Sequence, residues 1–354
     1  MAKDSSTPQN SAIAPFCSAQ NDICTETEPL HNFPMRVTVS VAGRFHAFHL
    51  VEQLARRGHL DRFITSTLNE RLLPNRRLPN ALRGNSEFEE KIRQVPLPEY
   101  LGYGVRRLPL RDSQLLSYFI KDNLYDRSAV KYVTNGDLFI GWASQSLFQL
   151  REAKARGALA IIERGSTHIS EQYRLIEAER KRFCIASPTR SRWERLLEEK
   201  QLKEYHEADF IMTPSEFARQ SFLDRGFDPK RILKVRYGVD LDLFSSPPTP
   251  LVGRGRPTYA GRGENPTLLF VGAIGFQKGI PYLLEAARNL RATGKKFHLK
   301  LIGRFEKDFE AWLRTSSLRS EIDEHLAFVP NHDLAQHFHH ADIFVLPSVQ
   351  EGLA

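Results

Sequence analysis

Cysteine, methionine and tryptophan are scarce: the 354-residue chain has three of each. Cys17 and Cys24 lie in a polar amino-terminal stretch and Cys184 stands apart. That leaves no disulfide framework and no zinc-ligand spacing. No apolar run reaches the roughly 18 residues that a membrane span needs, and no basic-then-apolar opening marks an export signal. The chain therefore reads as soluble and cytoplasmic. Neither GK[ST] nor G-x-G-x-x-G occurs at its glycine loops, so no P-loop and no dinucleotide fingerprint is supported. No helix-turn-helix, zinc-finger or RNP-type pattern is present, so no specific nucleic-acid partner is expected.

Positive charge is plentiful. The net charge is +8, and Arg56 to Arg111 holds twelve Lys/Arg against six Asp/Glu. Such a face suits an anionic lipid, a phosphorylated substrate or nucleic acid, or is simply solvated. The length suggests about two domains. Residues 1–34 are polar, lack periodicity and are expected to be a disordered tail.

The stretch Thr267 to Leu290 organises the rest. Leu268 to Val271 is an unbroken apolar run, as in a strand buried on both faces. Gly272 and Gly275 punctuate a loop. Leu283, Ala286, Ala287 and Leu290 then recur at helical spacing, with Pro281 in the first turn. Lys278 lies against the macrodipole at that helix start, an arrangement that makes sense if an anion such as phosphate is shared with the free N–H groups. Otherwise Lys278 is a solvated loop lysine.

The first half opens with Val37, Val39 and Val41 alternating in a strand, then a helix from about Phe45 to Arg57 stopped by Gly58. Residues 69–112 read as loops and short helices over a sheet edge. Further strands are expected over 137–143, 158–162 and 232–235, and helices over 146–156, 170–183, 193–205 and 217–225. The alternating charges of 193–205 suggest solvated faces. Glu163, Arg164, Gly165, Ser166, Thr167 and His168 follow a strand's carboxyl end, where ligands bind in open α/β sheets. A structural reading remains: Glu163 paired with Arg164, and Ser166 or Thr167 capping the next helix.

Ala208 to Ser215 (ADFIMTPS) and Ala341 to Ser348 (ADIFVLPS) share a pattern, which suits two similar α/β domains in tandem. The Pro- and Gly-rich stretch 245–266 is the expected linker between a domain over 35–244 and a second over 267–354. Strands at 268–271, 298–302, 326–329 and 343–346 alternate there with helices at 280–292, 307–316 and 332–339. The chain stops just after a strand, so the second sheet is expected to be incomplete.

These segments resemble family 4 of the retaining glycosyltransferases, whose GT-B fold faces two Rossmann-like, doubly wound parallel-sheet domains. YGVDLDLF (237–244) is similar to the family's domain-junction segment, VGAIGFQKGIPYLLEA (271–286) to its donor-phosphate loop and helix, LKLIGR (299–304) to the next strand and turn, and ADIFVLPSVQEG (341–352) to the start of its donor-site signature. The resemblance implies a hexosyltransferase-type reaction. A sugar passes from a nucleotide diphosphate-sugar to the hydroxyl of a glycan, lipid or small molecule, with retention and with neither cofactor nor metal.

The resemblance places Gly272, Gly275, Lys278, Arg304 and Glu351 at the donor, with Arg304 replacing an arginine where this chain has Ala273. His168, Glu163 and Glu351 are the implied catalytic group. Gly43, His46 and Arg164 fall on the acceptor side. The family's second signature glutamate would lie beyond Ala354. A catalytically inactive remnant and a basic-face binder of anionic membrane or nucleic acid are the alternative readings. A membrane-borne acceptor would bring the protein to the inner membrane face. His332, His337, His339 and His340 suggest a metal, but only His337 and His340 share a helix face and no carboxylate spacing supports them.

Overall fold

All five residues of the first strand, β1 (Val37–Val41), are buried, the polar ones included. Thr38 Oγ1 meets Thr134 Oγ1 at 2.7 Å, and Ser40 Oγ donates to Gln149 Oε1 at 2.6 Å. The alternation therefore separates an apolar face from a hydrogen-bonded one, and neither faces water. The computed structural model describes residues 35–43, 46–68, 84, 86–110, 112–186, 189–239, 244 and 265–353. The expected tail and nearly all of the expected linker lie outside them.

β1 leads into α1 (Ala47–Arg56), β2 (Leu60–Thr65), α2 (Ser86–Lys91), the edge strand β3 (Ile92–Gln94), α3 (Leu97–Arg106) and α4 (Ser113–Ala129). There follow β4 (Leu138–Trp142), α5 (Leu147–Ala155), β5 (Leu159–Glu163), α6 (Ile169–Arg182), α7 (Arg192–Glu207), β6 (Phe210–Thr213), α8 (Glu216–Leu223) and β7 (Ile232–Lys234). The second part holds β8 (Thr267–Val271), α9 (Ile280–Ala292), β9 (His298–Ile302), α10 (Lys307–Thr315), β10 (Glu324–Leu326), α11 (Asn331–His340) and β11 (Ile343–Phe344).

Two parallel sheets result, ordered β3-β2-β1-β4-β5-β6-β7 and β10-β9-β8-β11. Each sheet with its helices is called a lobe below. Strand order reverses between β1 and β4 in the first sheet and between β8 and β11 in the second. Crevices at the carboxyl ends of strands beside such reversals are where doubly wound folds bind ligands.

An aspartate fixes the register at four places by accepting a backbone N–H at the start of the neighbouring strand. Asp137 takes Arg36 N at 2.8 Å and Asp209 takes Ala160 N at 2.8 Å. Asp323 takes Leu299 N at 2.6 Å and Asp342 takes Thr267 N at 2.8 Å. Asp209 and Asp342 are the aspartates of the two similar octets, so that likeness reflects one structural role performed twice. Asp323 also sets β10 two residues earlier than the apolar pattern of 326–329 suggests.

The solvated reading of 193–205 is corrected. Lys200, Gln201, Glu204 and Tyr205 of α7 are buried. Lys200 lies 2.7 Å from Asp126, which accepts the first N–H groups of α5. Glu204 accepts Ser144 N at 2.5 Å and Ser146 N at 2.9 Å. The Glu204 carboxyl group of this helix satisfies backbone donors of a neighbouring loop and helix start, which is why it tolerates burial.

The lobes meet through α6. Phe183, just past its end, packs its ring against Phe276, Tyr282 and Trp312 of the second lobe. Arg180 pairs with Asp308 at 2.5 Å, and Tyr282 donates to Glu179 at 2.5 Å.

Candidate functional site

Gly279 stands at φ +67° and forms the amino cap of α9 with no capping side chain. The left-handed backbone excludes most residues. Space excludes them too, because a Cβ there would lie 1.9 Å from Pro347 O. The loop after β8 and the segment after β11 are thus pressed together beside the strand-order reversal of the second sheet. Val349 N donates to Gln277 O at 3.0 Å, and Gln277 Nε2 to Gln350 Oε1 at 2.6 Å.

Lys278 forms an ion pair with Glu351 at this point. Burial lowers the pKa of the Lys278 ammonium from its ordinary value, and the charge of Glu306 opposes the shift. Glu306 folds its carboxyl group over Gly275, where a Cβ would lie 2.0 Å from Oε2. Burial and Asp308 raise the pKa of that carboxyl. Gly272 donates its N–H to Ile302 O at 2.9 Å, which ties the loop to β9. Arg304 is exposed, and its carbonyl accepts Ile274 N at 2.9 Å. The structure therefore gathers Gly272, Gly275, Lys278 and Glu351 at one helix end, with the Arg304 backbone beside them.

Gln350 of the second lobe, which is 1% exposed, reaches from this end to the first lobe. Its Nε2 donates to Ser166 Oγ at 2.7 Å and to Thr167 Oγ1 at 2.9 Å. A Cβ on Gly352 would lie 1.9 Å from Gly165 O, so two glycines allow the backbones of the lobes to touch. Ser166 and Thr167 hold the opposite lobe, and neither caps α6.

That cap is His168. Its Nδ1 accepts Ser170 N at 3.2 Å, and its ring lies among Tyr205, Phe222 and Phe227. It is 3% exposed, and burial, with help from Arg225 and Arg164, lowers its pKa to about 3. The structure thus places the ring as a buried cap of α6 inside the first lobe.

Glu163 keeps a different place. It ends β5, is 1% exposed, and accepts Tyr237 OH on Oε1 at 2.6 Å. His46 Nε2 lies 3.3 Å from the same oxygen. The His46 ring packs on Tyr237, with centroids 3.8 Å apart, and near Trp142, at 5.4 Å. Burial raises the pKa of the Tyr237 hydroxyl, and the Glu163 charge adds to the rise. Glu163 Oε2, His46 Nε2 and Trp142 Nε1 are buried polar atoms with no hydrogen-bond partner among the described residues. Three such atoms in one cluster mark a place where a polar ligand would complete the bonding. Gly43 lies just past the carboxyl end of β1, and His46 is the amino cap of α1.

Arg164 is engaged elsewhere. It donates to Thr167 O at 2.9 Å and to Gln172 Oε1, so it braces its own loop and does not pair with Glu163. Trp142, Tyr237, Gln277 and Gln350 were missing from the sequence-derived site. The available signal for Trp142 was its position at a strand's carboxyl end beside the switch point. Among the described residues, no group of three or more His, Cys, Asp or Glu is placed to hold a metal, and no helix is long and apolar enough to cross a membrane.

Comparison with known proteins bears on the same regions. Residues 256–354 match the family model of the glycosyl transferases group 1. WcaL of Salmonella typhimurium, named for colanic acid biosynthesis as a glycosyltransferase, is 25% identical over 147 residues, which cover 41% of this chain and 34% of that protein. An uncharacterized glycosyltransferase of Haemophilus influenzae is 32% identical over 91 residues, 25% of each chain. The chain thus spans about a third or less of the length of these curated relatives.

Among solved structures, the trehalose-6-phosphate synthase OtsA aligns with a TM-score of 0.51 at 12% identity, covering 90% of this chain and 80% of that one. The catalytic domain of starch synthase IV from Arabidopsis thaliana, bound to ADP and acarbose, aligns with a TM-score of 0.51 at 10% identity, covering 91% and 80%. At these identities the likeness is one of fold. The chain has the α/β architecture of parallel-sheet, Rossmann-like lobes found in GT-B glycosyltransferases, and its second lobe carries the group 1 match.

Proposed function

We propose that the protein transfers a sugar from a nucleotide diphosphate-sugar to an acceptor hydroxyl, as a retaining, hexosyltransferase-type enzyme of family 4 that needs no metal. The observation that carries this reading is the amino end of α9. It has no side-chain cap, Lys278 stands beside it, and it lies at the second sheet's switch point against the first lobe. A helix amino end and an ammonium together suit the pyrophosphate of such a donor.

Donor binding would turn Lys278 from Glu351 to the phosphates and leave the Glu351 carboxylate for sugar hydroxyls. The acceptor oxygen bonds to the anomeric carbon on the face from which the diphosphate departs. The carbon–oxygen bond to the diphosphate breaks, and the acceptor's proton passes to the leaving oxygen. Lys278 and the helix end stabilise the charge that develops there. Glu163, His46 and Trp142 offer an acceptor, an imidazole and a donor to hydroxyls on the first-lobe side. The basic first lobe suits an acceptor held at the inner face of a membrane.

The test is titration with UDP-, GDP-, ADP- and dTDP-sugars, with release of the nucleoside diphosphate followed in parallel. One of these donors binds, and Lys278→Ala weakens it by about tenfold or more, as for a lost charge-assisted bond. Binding of none of them overturns the reading.

A further inference from the structure

The basic stretch Arg56 to Arg111 plays no part in the chemistry above, yet the fold gives two of its arginines a definite place. Ile64 of β2 pairs with Arg93 of β3. Arg62 stands two residues before Ile64, so Arg62 and Arg93 leave the same face of the sheet edge. The turn after α4 adds Lys131, and the carboxyl cap of α5 adds Arg156. With Thr134 and Asn135 these four cations line a pocket of about 430 Å³.

The pocket lies at the amino ends of the strands. Arg62 is near the start of β2, Asn135 precedes β4 and Arg156 precedes β5. Glu163 and His46 stand at the carboxyl ends, about 17 Å away along a five-residue strand.

Two carboxylates border the pocket, and both are in use. Asp61 accepts Thr134 Oγ1 at 2.5 Å, and Glu152 pairs with Arg156 at 2.7 Å. Arg93 gives NH1 to the carbonyls of Glu90 and Ile92, each at 2.7 Å. Arg62 Nε is buried and has no hydrogen-bond partner among the described residues. Burial, and next the neighbouring Arg93, lowers the pKa of the Arg62 guanidinium, and the Asp61 charge opposes the shift. A fold does not ordinarily hold an unpartnered guanidinium N–H against another guanidinium, because desolvation and repulsion both oppose it. A tetrahedral oxyanion would relieve both, since its oxygens accept from a guanidinium fork and its charge offsets the excess.

We infer that this amino-end pocket of the first lobe binds a phosphate group, carried either by an anionic lipid headgroup or by a soluble phosphorylated molecule. It is separate from the donor site at α9 and does not depend on the proposed reaction.

The experiment uses the full chain at low ionic strength, where such contacts are least screened. Inorganic phosphate is titrated by calorimetry, and flotation is measured with phosphatidylglycerol–phosphatidylcholine vesicles. Wild type, Lys278→Ala, Arg62→Gln/Arg93→Gln and the exposed Lys131→Ala are compared. Phosphate binding survives Lys278→Ala, falls by about tenfold or more in the double variant, and falls about threefold in Lys131→Ala, in proportion to the charge-assisted bonds removed. Flotation that drops in the same two variants assigns the lipid headgroup. Phosphate binding without flotation assigns the soluble ligand. Neither phosphate nor vesicles binding, or both binding these variants as they bind wild type, overturns the inference. Loss in Lys278→Ala alone also overturns it, and leaves the donor-site reading standing.

Discussion

Lys278 and Glu351 are paired at the amino end of α9, 73 residues apart in the chain. An anion arriving there competes with a carboxylate already present. Glu351→Gln removes the competing charge and keeps an acceptor oxygen. It should tighten binding of a nucleoside diphosphate without a sugar by about 3- to 10-fold, whereas Lys278→Ala weakens it by about tenfold or more. Calorimetric titration of both variants checks this. Equal affinities in wild type and Glu351→Gln would show that the pair does not guard the site.

Gly352→Ala tests the contact between lobes. The added Cβ would meet Gly165 O at 1.9 Å and its carbonyl carbon at 2.7 Å, and backbone atoms cannot step aside as a rotamer can. The 347–352 segment should lift from the first lobe, and Gln350 should lose its bonds to Ser166 and Thr167. About 1–3 kcal/mol of interlobe interaction goes with them. Donor affinity falls while far-ultraviolet circular dichroism stays unchanged. Unaltered donor affinity would count against closure through this contact.

His168→Ala removes a helix cap and a ring packed among three aromatics. A loss of about 3 kcal/mol in denaturant unfolding is expected, with donor binding unchanged in the folded fraction. The native state keeps this imidazole neutral down to about pH 3, against an ordinary value of 6.5. The unfolded chain therefore binds the extra proton first, and stability from this group is complete above 6.5 and declines as the pH falls toward 3. His168→Asn, which can still cap, should lack that acid-side decline.

Glu204 titrates in the opposite sense. Burial raises its pKa from 4.5 to about 8, with Lys200 and the Ser146 N–H opposing the rise. The folded state then holds the proton more tightly than the unfolded one, so stability falls as the pH rises from 4.5 to 8. Glu204→Gln should flatten that slope. It should also cost about 1–3 kcal/mol, since the amide cannot accept both backbone N–H groups on oxygen. Unfolding curves at pH 5, 6.5 and 8 report slope and offset separately.

The histidines show where sequence reasoning stops. His46 and His168 both follow strand ends, and both were candidates. One lies against Glu163 and Tyr237, while the other is sealed beneath Phe222. No local pattern separates them, because the difference is which neighbours fold over each ring. The same holds for α7, whose buried Lys200 and Glu204 are paired with residues more than fifty positions away. The helix α4 was not foreseen either. It packs against α3, α5 and α7, so its apolar residues form no single stripe to read.

The sequence by itself determined the alternation of strand and helix, and with it the parallel-sheet class. It placed α9 and β9 at their observed ends, because glycine, proline and apolar spacing act within a few residues of themselves. The loop bearing Gly272, Gly275 and Lys278 was legible for the same reason. Only the tertiary structure decided that Lys278 faces Glu351, that Gln350 ties the lobes through Ser166, and that Glu163 keeps an unpartnered oxygen beside His46 and Trp142. Those facts depend on contacts between distant stretches of chain, and such contacts exist only once the sheets have assembled.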